Sequence, residues 1–122
     1  MYATADINRR IRVPAGAAGF PDAPAGWSPE DARELADADG LYLSEAHWEV
    51  VRALQRYYAG HAAGAGINLR ELHDALEERF HARGGLRQLY RLFPGGPVAQ
   101  GCRVAGLKAP SNASDPGFGS AA

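Results

Sequence analysis

Along the middle of the chain apolar residues recur at intervals of three and four, a spacing that predicts helices rather than strands. The longest such stretch is SEAHWEVVRALQRYYAGHAA (44–63), where Ser44 is the N-cap and Val50 or Val51, Leu54, and Tyr57 or Tyr58 share a face. Ahead of it, Ser28-Pro29-Glu30-Asp31 joins a capping serine, a proline at the first helical position and acids in the first turn. That signature predicts a helix stopping at Gly40. Gly60, Gly64 and Gly66 break the long helix, and Asn68 with Glu71 three residues on is a capping pattern for a third, whose buried stripe is Leu69, Leu72, Leu76 and Phe80. Gly84-Gly85 separates it from LRQLYRLF (86–93), a short helix expected to bury Leu86, Leu89, Tyr90 and Phe93. Phe93-Pro94-Gly95-Gly96-Pro97 reads as a rigid turn, after which Pro97 opens a last helix through Val98, Cys102 and Ala105, terminated by Gly106.

The ends read differently. Ile7, Arg9, Ile11 and Val13 alternate with Asn8, Arg10 and Arg12 ahead of a PAGAAG turn, which predicts a short N-terminal β-hairpin. From Ser111 the tail SNASDPGFGSAA has little to bury and is expected to be disordered. The expected fold is therefore mainly α (α+β): a small bundle of about five helices with an N-terminal hairpin and a flexible C-terminal arm. One domain over residues 1–110 and a tail over 111–122 account for a chain of 122 residues. Hydrophobic residues make up 46% of it, but 24 are alanine, so the core is expected to be small.

The formal net charge of −1 excludes a strongly basic nucleic-acid-coating protein, yet the charges are segregated. Residues 22–50 carry eight acids against Arg33 alone, whereas Arg79, Arg83, Arg87, Arg91, Arg103 and Lys108 follow one another without an intervening acid. Such a basic segment would meet phosphate or an acidic protein, and Arg79, Arg83, Arg87 and Arg91 would allow a weak nucleic-acid contact. No run is long and apolar enough for a membrane span, and no export signal is visible at the N-terminus. A single cysteine excludes an internal disulfide and favours the cytoplasm.

Catalytic chemistry has few candidates. His47, His61, His73 and His81 form no metal-binding pattern; His73 and His81 share a face only if their helix persists, and two ligands are too few for zinc. Gly64-Ala65-Gly66 and the Pro94–Pro97 turn follow helices, so neither is a nucleotide fingerprint, and no cofactor is expected. Cys102 is the one residue with distinctive covalent reactivity. Arg103 and Lys108 would favour its thiolate and Gly101 would leave room for a reagent, while a shared face with Val98 and Ala105 points to burial in the core.

Three segments, LSEAHWEVVRALQRYY (43–58), LYRLFPGGP (89–97) and CRVAGL (102–107), resemble the TusE/DsrC/DsvC sulfur-relay proteins, a resemblance running from about Gly19 to Pro110. It implies a small helical fold with an N-terminal hairpin and a C-terminal arm that carries sulfur on a near-terminal cysteine. In one branch that sulfur passes onward to thiolation of the tRNA wobble uridine; in the dissimilatory branch a second, upstream cysteine joins in redox chemistry with sulfite reductase. Cys102 matches the upstream cysteine, whereas the near-terminal position falls on Ala113, and Lys108 stands where the arm usually has proline. Arm chemistry at position 113 is thereby ruled out.

Three functions follow. The first is a relay protein docking on a sulfurtransferase or sulfite-reductase-type partner, with Cys102 as the one candidate catalytic thiol for a persulfide or redox step. It would be at most a sulfur carrier and not a stand-alone enzyme. The second is a regulatory paralogue that presents HWEVV and LYRLFPGGP to a partner and passes no sulfur. The third, a helix-turn-helix DNA binder across Gly60–Gly66, is disfavoured by the long linker and by Glu71, Asp74, Glu77 and Glu78.

Overall fold

The computed structural model describes residues 19–61 and 67–110. Five α-helices lie within them, and no strand: α1 (Pro29–Ala38), α2 (Glu45–Ala59), α3 (Leu69–Arg79), α4 (Gly85–Leu92) and α5 (Ala99–Ala105), with a 3-10 turn at His81–Arg83. The expected hairpin over residues 7–18 and the arm beyond residue 110 lie outside the described residues.

The caps form largely where the sequence places them. The Ser28 side chain accepts the Asp31 amide at 3.2 Å with Pro29 in the first turn, and Asn68 Oδ1 accepts the Glu71 amide at 3.0 Å. Gly40, at φ 72°, closes α1 through a Leu41 N–H to Ala36 carbonyl bond of 2.8 Å. The long helix ends at Ala59 with Gly60 as C-cap, so Gly60 and His61 do not extend it as expected. At its start the N3 residue is His47, whose Nδ1 accepts the Ser44 amide at 3.0 Å, a role more often taken by Glu or Gln.

Helix α2 is buried on two sides. Val50 and Leu54 join Leu72, Leu76, Phe80, Leu89, Phe93, Val98 and Cys102 in one apolar cluster, while Trp48 and Val51 join Phe20, Ala32, Ala36, Leu43, Val104 and Ala105 in another. The choice between Val50 and Val51 thus resolves to both, each fully buried. Helix α5 packs most extensively on α2 and next on α1, and its close approach depends on a missing side chain, because a Cβ at Gly101 would lie 2.9 Å from Leu54 Cδ1. Alanine also builds core directly: Ala32 and Ala36 are fully buried and let α1 sit close to α5.

On α4 the expected stripe is half right. Leu89 and Phe93 are buried and Leu86 is half-buried, but Tyr90 is 47% exposed. Two contacts from other helices set the rotation of α4. Glu77 Oε1 on α3 accepts the Leu86 amide at 2.8 Å, and His47 Nε2–H on α2 donates to the Leu92 carbonyl at 2.8 Å. With both ends tied, Leu89 faces the core and Tyr90, one position on, is turned outward.

Candidate functional site around Cys102

Cys102 lies on the inner face of α5, free, with no exposed surface. Its S–H points at the Tyr58 hydroxyl, 3.7 Å away, and that hydroxyl donates in turn to the Lys108 carbonyl at 2.6 Å. Burial pushes the thiol up to about 11, with the Tyr58 hydrogen bond pulling the other way; Tyr58 is itself raised, first by burial and then by the neighbouring thiol.

None of the three features expected to activate this thiol does so. The Arg103 guanidinium turns away to pair with both Asp39 oxygens at 3.1 and 3.2 Å, and the Gln100 hydrogen bond first, with Arg103 after it, holds the Asp39 carboxyl below its usual range. Lys108 contributes its carbonyl rather than its ammonium group. The space at Gly101 is filled by Leu54 rather than open to a reagent.

Two side chains that sequence periodicity does not flag, Trp27 and Gln55, and Tyr58, which it offers as an alternative to Tyr57, surround the exit of the chain from α5. Trp27 Nε1–H donates to the Val104 carbonyl at 2.8 Å, and Gln55 Nε2–H, on a side chain only 1% exposed, donates to the Ala105 carbonyl at 3.0 Å. Tyr58 holds Lys108 one turn further. The helix ends in a Schellman motif, Leu107 N–H to Cys102 carbonyl at 2.8 Å and Gly106 N–H to Arg103 carbonyl at 3.3 Å. The stretch leading to residue 110 is therefore tied to α2 and to the segment before α1. A buried polar residue such as Gln55 in an apolar stripe is the one signal that could have drawn attention to this clamp.

The raised thiol has a consequence for stability. A folded value above the unfolded one stabilises the fold fully below about pH 9, and that contribution is lost as pH rises towards about 11. A shift of this size corresponds to about 2–3 kcal/mol. The urea stability of the wild type should accordingly decline over this window, and Cys102→Ala, less stable at neutral pH, should show a flatter profile. Parallel profiles would show that Cys102 does not titrate differently in the folded and unfolded chains.

The other candidates do not converge. His47 is buried in its cap; His61 Nδ1–H donates to the Tyr57 carbonyl at 2.7 Å with its ring stacked on Tyr57. His73 is half-buried and lowered by that burial, and His81 sits by Glu77 at 3.2 Å. Because α3 stops at Arg79, His73 and His81 share no helical face. The basic segment is also divided. Arg79 stacks on Phe80, its guanidinium 5.8 Å from the ring centroid, and Arg83 pairs with Glu49, whereas Arg87 and Arg91 stand exposed on α4. HWEVV, expected to face a partner, is mostly core: His47, Trp48, Val50 and Val51 are all buried.

A small helical domain with one interior thiol and a clamped C-terminal exit is what the fold defines, and the match to known proteins gives it a family. The family model described as DsrC like protein matches residues 9–113, and the chain belongs to that family. It is similar to proteins named Sulfurtransferase TusE. That of Yersinia pseudotuberculosis is 39% identical over 85 residues (69% of this chain, 77% of the relative). The Escherichia coli K12 protein is 39% identical over 85 residues (69% and 76%), and that of Sodalis glossinidius 35% over 85 residues (69% and 77%). No solved structure gives a significant match. Among the described residues no helix is long and apolar enough to cross a membrane.

Proposed function

We propose that this chain acts in a sulfur relay by docking on a sulfurtransferase-type partner, and that Cys102 is the one position at which it would hold a persulfide. Membership of the DsrC-like family and similarity to proteins named sulfurtransferase support the relay and favour that partner over a sulfite-reductase type. A reducing cytoplasm suits a chain with a single free thiol. The observation that carries the proposal is the family match over residues 9–113 in a chain whose single thiol is Cys102.

Transfer would require the Cys102 thiolate to attack the outer sulfur of a partner persulfide, forming a new S–S bond while the partner's S–S bond breaks and its cysteine leaves as a thiolate. With a thiol value of about 11, only about one molecule in ten thousand is ionised at pH 7, and the sulfur has no surface. In the closed fold the chain docks without accepting sulfur, and acceptance requires the Tyr58–Lys108 contact to open. The same enclosure favours a second reading, a regulatory paralogue that occupies the partner and passes nothing.

The test titrates wild type and Cys102→Ala against the sulfurtransferase of the same organism, its cysteine loaded as persulfide, followed by intact mass. Equal docking of both chains is expected. One added sulfur on wild type alone makes Cys102 the carrier, and docking with no added sulfur selects the non-transferring reading. Failure of both chains to dock overturns the proposal.

A further inference from the structure

Arg87, Tyr90 and Arg91 stand at i, i+3 and i+4 of α4 and therefore share one side of the helix, opposite the buried Leu89. All three are exposed, and Tyr90 is one of two large apolar side chains among the described residues that remain so. Among the described residues the two guanidiniums have no counter-charge. Arg52 pairs with Glu45, Arg83 with Glu49 and Arg103 with Asp39, but among the described residues neither Arg87 nor Arg91 lies within ion-pair distance of a carboxylate. The face is also held rigidly, since Glu77 fixes the first turn of α4 through the Leu86 amide and His47 fixes the last through the Leu92 carbonyl.

From this arrangement we infer that the Arg87–Tyr90–Arg91 face of α4 is the docking surface for an acidic patch on the protein partner, an inference that rests on the relay reading above. Tyrosine and arginine are the side chains that most often dominate binding energy at interfaces, and a face already ordered loses little entropy on association. Charge complementarity selects the partner's chemistry. Two guanidiniums on an eight-residue helix match a compact pair or trio of carboxylates, whereas a nucleic-acid strand would need a longer basic track. Among the described residues there is none: Arg83, between Arg79 and Arg87, is paired with Glu49, and α1 carries exposed Glu30, Asp31, Glu34 and Asp37.

The experiment measures the dissociation constant of the full chain for the same organism's sulfurtransferase at low and at moderate salt. It compares wild type, Arg87→Glu/Arg91→Glu, Tyr90→Ala, and Glu30→Gln/Glu34→Gln as control. The double reversal is expected to weaken docking at least about tenfold and to remove its salt dependence, Tyr90→Ala to weaken it about fivefold or more, and the control to match wild type. Thermal melts and circular dichroism like those of wild type establish that the surface variants are folded. If wild type and the double reversal dock equally, the inference is overturned while the relay reading stands. If wild type itself does not dock, the relay reading falls and the inference with it. A gel shift with transfer RNA that is lost in the double reversal, with partner docking unchanged, would assign the face to nucleic acid and overturn the inference as well.

Discussion

Phe93→Ala is expected to cost about 3–5 kcal/mol, at the top of the range for truncating a core side chain. Phe93 has no exposed surface and lies in the cluster that joins α2, α3, α4 and α5. Its ring meets His47 edge-on with centroids 5.1 Å apart, and His47 in turn holds both the Ser44 cap and the Leu92 carbonyl. Truncation leaves a cavity beside the histidine that ties α2 to α4, so cavity cost and loosened hydrogen bonds add. Against a total of about 5–15 kcal/mol for a domain of this kind, the variant should be largely unfolded at moderate urea, with its midpoint far below wild type. A loss below about 1.5 kcal/mol would mean that the site collapses around the missing ring and that Phe93 does not organise the four helices.

Gly106→Ala is expected to cost about 2–3 kcal/mol from the addition of one methyl group. Gly106 sits at φ 80°, where an alanine pays about 1–2 kcal/mol for the left-handed backbone. A Cβ there would also lie 2.6 Å from Trp27 Cδ1, so the indole must move and its bond to the Val104 carbonyl weakens, worth about a further 1 kcal/mol. Urea titration followed by tryptophan fluorescence reads both effects. A stability equal to wild type would show that Trp27 is not held against the end of α5. The contrast with Gly101 is informative, because there the obstacle is Leu54 in the core and not the backbone.

Much of the fold was legible in the sequence because its punctuation is local. Ser28 with Pro29, Asn68 with Glu71, and the stops at Gly40 and Gly106 each act through residues within one turn, and the structure places those helix ends accordingly. What escaped is non-local. Tyr90 fits the apolar spacing of its helix, but Glu77 and His47, 13 and 43 positions away, decide which side of α4 turns inward. Discounting alanine underestimated the core, since Ala32 and Ala36 become valuable only when another helix approaches closely enough to touch them. At the candidate site the order of residues was misleading: Arg103 adjoins Cys102 in the chain, yet on a helix neighbouring residues point about 100° apart, and Arg103 reaches Asp39 instead. The partners that matter, Tyr58 and Gln55, come from α2 and are brought to α5 by packing alone.

The central claim, that the folded chain keeps its single thiol closed, is tested most directly by the rate at which Cys102 is alkylated by iodoacetamide, followed by intact mass in native buffer and in urea at the same pH. The account predicts that native protein reacts at least about a hundredfold more slowly than unfolded protein, because alkylation must await an opening of α5 from beneath Tyr58. Equal rates in the two conditions would contradict it, and would place an open, reactive thiol on the folded chain.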